Sequence, residues 1–188
     1  ASRATSSWLA SGSPRRAELL SRIIDRFVII PSGADEAFDG PPEQGALDVA
    51  RAKAREVAQS RRGIIIGADT IVVTEGRVLG KPGSAAEARD MLRRLSGREH
   101  DVITGLCVLR TDPPAERTAV ECTTVRFRAL LPNEIDTYIS SGEYADKAGA
   151  YGIQGRAAMF VDRICGDYYN VMGLPLCRLA LLLREVGV

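Results

Sequence analysis

The chain has 188 residues, 45% of them hydrophobic and 26% charged, which suits a single globular domain or two small lobes sharing a core. Lys+Arg 25 against Asp+Glu 24 gives a net charge of +1, a balance that argues against electrostatic coating of DNA and leaves room for a local basic pocket for a small anion. The four cysteines (Cys107, Cys122, Cys165, Cys177) form no C-x-x-C pair and His100 is the only histidine, which disfavours a Cys/His zinc site and points to a reducing compartment, with most of the thiols packed as small hydrophobes.

Helical and strand-like patterns alternate along the chain, which implies an α/β protein. Trp8-Leu9-Ala10 reads as a short strand and Ser11-Gly12-Ser13 as a small-residue loop. Ser13 is the expected N-cap of a helix with Pro14 at its first position and Leu19, Leu20, Ile23 and Ile24 on one face. A strand over 27–30 and an acidic, Gly/Pro-rich loop over 31–42 come next. A helix over 43–60 should point Leu47, Ala50, Ala54, Val57 and Ala58 inward. The apolar run from Gly63 to Val73 reads as a pair of short strands around Gly67-Ala68-Asp69-Thr70, turning at Glu75-Gly76. Ser84-Ala85-Ala86-Glu87 has the form of a capping box for a helix to about 95. Strands are expected over 102–109 and 120–127, joined by an exposed Pro113-Pro114 turn. A helix opens at Leu131-Pro132-Asn133-Glu134, a glycine-rich loop covers 149–155, a strand 158–164 and a closing helix 174–186. Residues 1–7 lack a hydrophobic signal core and no stretch is long and apolar enough to span a membrane, so the expected location is cytoplasmic.

Asp69 is the most informative residue. A carboxylate inside an apolar run loses hydration on folding, so it either lies at a strand end beside water or has a cationic partner. A carboxylate held that way suits proton transfer or metal binding. Ser11-Gly12-Ser13-Pro14-Arg15-Arg16 places a strand, a loop and a helix start in succession, with backbone N–H groups open to an anion. The two arginines oppose the helix dipole and make sense where a phosphate neutralises them; two solvated arginines are the competing reading. Leu79-Gly80-Lys81-Pro82 lacks the spacing, the Ser/Thr and the helix of a P-loop, yet Lys81 can serve a phosphate as a point charge. Glu36 and Asp69 offer hard oxygens to Mg2+ or Mn2+, with Lys53 on the helix that follows the acidic loop. Gln154, within Asp146-Lys147-Ala148-Gly149-Ala150-Tyr151-Gly152-Ile153-Gln154-Gly155, carries an amide that matches the adjacent carbonyl and N–H of uracil or thymine; a tight turn with an exposed glutamine is the alternative. Tyr168 and Tyr169 read as core, and His100 as structural.

Taken in order, Leu9-Ala10-Ser11-Gly12-Ser13-Pro14-Arg15-Arg16, Gly67-Ala68-Asp69-Thr70-Ile71-Val72, Leu79-Gly80-Lys81-Pro82, Leu95-Ser96-Gly97-Arg98-Glu99-His100, the 146–155 segment and Asn170-Val171-Met172-Gly173-Leu174-Pro175 resemble the Maf family of nucleoside triphosphate pyrophosphatases across nearly the whole chain. The resemblance implies one domain over 1–188 with a Maf/ITPase-like fold: a long, bent, mixed sheet flanked by helices, and a cleft between two lobes. It implies hydrolysis between the α and β phosphates, and its motifs match the dTTP/UTP subgroup, with modified pyrimidine nucleotides as further substrates. Asp69 then matches the proton acceptor, and Arg15, Thr70 and Gln154 the specificity positions. Ser11, Lys53 and Lys81 are the expected phosphate contacts, with Glu36 and Asp69 as ligands of Mg2+ or Mn2+. The implied role is nucleotide-pool house-cleaning linked to cell-division arrest, by a homodimer that binds neither membrane nor nucleic acid stably. The alternative is a non-catalytic nucleotide- or nucleic-acid-binding regulator of septum formation.

Overall fold

A computed structural model describes residues 5–188; expectations for the first four residues lie outside it. β1 (Ser7–Leu9) leads into α1 (Pro14–Leu20), β2 (Val28–Ile29), α2 (Pro42–Ala58), β3 (Ile64–Thr74) and β4 (Arg77–Leu79). Then come α3 (Ala85–Leu95), β5 (Glu99–Thr111), β6 (Pro114–Phe127), α4 (Pro132–Ser140), β7 (Val161–Cys165), α5 (Tyr168–Val171) and α6 (Leu176–Glu185). The strands hydrogen-bond in the order β2-β1-β3-β5-β6-β7, with β4 on β3. β1 is parallel to β2 and β3, whereas β4 and β7 run antiparallel to β3 and β6, so the α/β protein has the mixed sheet expected.

The chain forms two compact units. One holds the residues up to Asp69 together with Thr104–Glu121 and Gly173–Val188; the other holds Thr70–Ile103 and Cys122–Met172. In the first, Ala10, Ala50, Ala54, Val57, Ile65 and Cys107 form a core. Here α2 turns Ala46, Ala50 and Ala54, at four-residue spacing, onto the sheet. The strands answer with glycines: a Cβ on Gly67 would stand 2.3 Å from the Ala50 carbonyl oxygen, and one on Gly105 2.3 Å from that of Ala46. Glycine inside a strand marks a close backbone approach, and here it lets a helix lie almost on the peptide planes.

The second unit has an aromatic core. Phe127, Tyr138, Tyr151 and Phe160 pack with Leu92, Leu95 and Ile135. His100 belongs to it, edge-on to Phe127 and Tyr151, with Nε2 2.5 Å from the Tyr151 hydroxyl. Asn170 is fully buried and donates to the Val102 carbonyl (2.9 Å) and to Thr123 Oγ1 (3.0 Å). His100 is structural, as its isolation in the sequence suggests.

Several local expectations change. β3 is one unbroken strand through Asp69, not a pair, because the carboxylate has a partner. The strand expected over 158–164 begins only at Val161, after a 3-10 helix over Arg156–Phe160. Ser84 Oγ caps the Glu87 amide, but the Glu87 carboxylate accepts from Gly83 N, so the capping box closes one residue early. Cys107 is buried as a small hydrophobe, whereas Cys122, Cys165 and Cys177 are exposed thiols outside any disulfide. Tyr168 is exposed and Tyr169 only half-buried. Ile23 lies beyond the end of α1 and is exposed. Among the described residues no helix is long and apolar enough to cross a membrane.

Two stability predictions follow from these cores. Gly67→Ala should cost about 2 kcal/mol, read as a lower midpoint of thermal unfolding, since its methyl must displace a helix backbone. Burial lowers the His100 pKa to about 4, so the folded ring stays neutral while the unfolded one takes up a proton below its ordinary 6.5. The stability tied to a neutral His100 is therefore complete above pH 6.5 and drains away as pH falls toward 4, amounting to about 3 kcal/mol. His100→Phe should flatten that slope in urea melts between these pH values.

Candidate active site

The site is built on α2 and on the halves of the chain that flank it. Val49, Ala50 and Lys53 share the buried face of α2, so Lys53 is directed at the sheet. The residue is 6% exposed, and its Nζ lies 3.1 Å from Asp69 Oδ1 and 3.5 Å from the Ala68 carbonyl. The same ammonium lies 2.7 Å from Glu36 Oε1. One buried cation thus links two carboxylates. The loop that carries Glu36 is tied to α2 at both ends. Glu56 accepts from Ser32 Oγ and from Ala34 N (3.1 Å), and the Phe38 ring covers Gly45, where any Cβ would strike it. Asp35 caps the Ala37 amide at 2.9 Å, so it serves the turn.

The β1–α1 loop adds the second cation. Arg16 Nε donates to the Gly173 carbonyl (2.8 Å) and Nη1 to Ser11 Oγ (3.1 Å). Ser11 Oγ also accepts from Ser13 N (3.2 Å), which leaves its O–H to donate. Ser13 Oγ takes the Arg16 amide at 3.4 Å, as the N-cap expectation required. Two of the amides expected to be open to an anion are therefore already taken by serine side chains.

Burial raises the Asp69 pKa above its ordinary 3.8; the Lys53 charge and hydrogen bond and the Arg16 charge pull it back, and Glu36 pushes it further up. Burial wins. The carboxylate is a better proton acceptor than a solvated aspartate while remaining paired. Burial also lowers Arg16, against the pull of Asp69, with the neighbouring Arg15 acting in the same direction as burial. Arg16 still carries its charge.

Of the residues singled out in the sequence, Ser11, Glu36, Lys53 and Asp69 belong to this one unit, and Glu36, Lys53 and Asp69 meet directly. Arg15 is half-buried in the same unit, but Arg16 is the arginine that fastens the loop. A signal for Arg16 was present: it stands three and four residues before Leu19 and Leu20, the buried face of α1. Glu56 and Phe38 carried no comparable signal, and Gly173 stood in a family-like motif that gave no hint of its carbonyl's role. Thr70, Lys81 and Gln154 belong to the other unit. Thr70 follows Asp69 on β3 and is half-buried, Lys81 is exposed after β4, and Gln154 is exposed in a turn. That turn is held by Glu143, which accepts from Arg156 N (2.9 Å), and by Lys147, which donates to the Glu143 carbonyl (2.6 Å). Gly155 has no room for a Cβ beside the Glu143 carboxylate.

The pair of carboxylates fits a divalent cation in kind, two hard oxygens around one point, though among the described residues no three His, Cys, Asp or Glu side chains gather into a metal-sized group. A mixed-sheet α/β protein with a buried carboxylate and two cations suits proton transfer next to a polyanion. Comparison with known proteins narrows this class. The family model described as Maf-like protein matches residues 7–186, and the chain belongs to the Maf family. It is 51% identical to a dTTP/UTP pyrophosphatase of Thermococcus gammatolerans over 95% of each chain. It is 50% identical to one of Carboxydothermus hydrogenoformans, over 96% of this chain and 98% of that protein. A third relative of the same description, from Thermococcus onnurineus, is 49% identical over 95% of this chain and 96% of its own.

The electrostatics make a direct prediction. A carboxyl 13C titration should place Asp69 above 3.8, and Lys53→Met should move it further up, because burial then acts unopposed by the ammonium. A wild-type midpoint at or below 3.8 would contradict this environment.

Proposed function

We propose that this protein hydrolyses dTTP and UTP, and modified pyrimidine nucleotides, between the α and β phosphates, releasing the nucleoside monophosphate and pyrophosphate. The observation that carries the reading is a buried Asp69 with a raised pKa, 3.1 Å from Lys53, in a chain about half identical to relatives described as dTTP/UTP pyrophosphatases. The near balance of charge speaks against a regulator that binds nucleic acid electrostatically.

In this mechanism Asp69 orients a water molecule and takes its proton as the oxygen attacks the α phosphorus. Lys53 and Arg16 offset the charge of the phosphates, and the Ser11 hydroxyl donates to a phosphate oxygen. The bond to the bridging oxygen breaks and pyrophosphate leaves with the electron pair. Glu36 and Asp69 would hold Mg2+ or Mn2+, which screens the phosphates and stabilises the leaving group. Arg15, Thr70, Lys81 and Gln154 are assigned to substrate binding and base choice on the family motifs they occupy. The reading extends to a cytoplasmic homodimer that acts on free nucleotides.

The test is incubation with dTTP, UTP, CTP, ATP and GTP in the presence of Mg2+ or Mn2+. Pyrophosphate should appear, fastest with dTTP and UTP. Release of orthophosphate instead would indicate cleavage at the γ phosphate, and no release would favour a binding protein. Asp69→Asn should lower kcat by about 10²–10⁴-fold with nucleotide binding largely retained. Near-normal turnover in that variant would end the mechanism.

A further inference from the structure

We infer that Lys53 is a built-in competitor for the divalent cation, so that metal settles on Glu36 and Asp69 only together with a polyphosphate. The inference rests on the reading of those two carboxylates as metal ligands. Lys53 Nζ lies 2.7 Å from Glu36 Oε1 and 3.1 Å from Asp69 Oδ1. An ammonium therefore already contacts both of the oxygens that a divalent ion would have to draw together. No third His, Cys, Asp or Glu among the described residues adds a ligand. The charges lead to the same conclusion. Glu36 and Asp69 are matched by Lys53 and Arg16, and Arg15 acts on Arg16 as a further positive charge. A free divalent ion meets two engaged oxygens and no net attraction.

A triphosphate changes both conditions. It brings several negative charges and further oxygen ligands, and it offers the Lys53 ammonium another acceptor. Lys53 can make the exchange because it is a point charge on a flexible four-carbon stem. Arg16 cannot follow, because its guanidinium is fastened to Ser11 Oγ and the Gly173 carbonyl. One cation has a stem that lets it change partners, and the other is tied in place. Lys53 thus couples metal entry to nucleotide entry and keeps the nucleotide-free site from trapping metal.

The test is a Mn2+ titration of the purified protein without nucleotide, with free Mn2+ followed by electron paramagnetic resonance at about pH 8, far above the ordinary carboxylate range. Wild-type protein should bind Mn2+ weakly, and Lys53→Met should bind one ion about tenfold more tightly or better, since a cation that repels the metal has been removed. Adding Glu36→Gln to that variant should abolish the gain. Equal affinity in wild type and Lys53→Met, or a gain that survives Glu36→Gln, overturns the inference. Lys53→Gln carries the same test where circular dichroism shows that the methionine variant does not fold. The titration needs no turnover, so it fails separately from the pyrophosphatase reading, which the nucleotide assay decides.

Discussion

A buried ammonium cannot stand alone, and Lys53 sets the terms for the residues around it. Removing it from water costs several kcal/mol unless opposite charge compensates. Compensation comes from Asp69 on β3 and Glu36 on the preceding loop, and each must be brought to within hydrogen-bonding distance. The residues with the smallest side chains make this possible. Ala46, Ala50 and Ala54 on α2, facing Gly67 on β3 and Gly105 on β5, let the helix axis approach the sheet. A bulkier interface would lift α2 and leave the lysine short of the aspartate. The packing distance is therefore part of the electrostatics.

The same logic explains why the loop before α2 is anchored so heavily. Glu36 is half-exposed, and a free acidic loop would spend its time in solvent. Glu56 and Phe38 remove that freedom by fixing the loop on both sides of Glu36. The arginine side is fixed differently. Arg16 is held by a serine five residues before it and by a backbone carbonyl 157 residues after it. The site thus combines a cation held by neutral oxygens with a cation held chiefly by the two carboxylates it neutralises.

How much of this was legible depends on the range of the interaction. Asp69 could be picked out because it violates a local rule, an acid in an apolar run, and such violations survive in a sequence only where a partner exists. Lys53 followed from its place in a helix, and Glu36 from its loop. The break read at Gly67-Ala68-Asp69-Thr70 was an error of the same origin. A glycine and an acid argue locally for a turn, but Gly67 is there to admit α2 and Asp69 to meet Lys53, so the strand continues. Arg16 was hidden by its neighbour, since adjacent arginines look equivalent until the helical face is counted. The three exposed cysteines show the reverse. Cys122 lies on β6, Cys165 at the end of β7 and Cys177 on α6, and an apolar neighbourhood in sequence says little about which face of a strand or helix a given residue takes.

Glu36 has a second effect, and it bears on why Asp69 is poised as a base rather than merely neutralised. An aspartate with a lysine to itself becomes a weak base, because the pair stabilises the ionised form. An aspartate buried without a cation stays protonated and accepts nothing. Asp69 lies between these limits. Its burial is only partly offset by Lys53 and Arg16, and the negative charge of Glu36 adds to the burial. Glu36 draws on the same ammonium and repels the same carboxylate, so it weakens the hold of Lys53 on Asp69 in both ways. A carboxylate shared in this manner keeps its charge and recovers its affinity for a proton, a combination that one ion pair alone cannot supply.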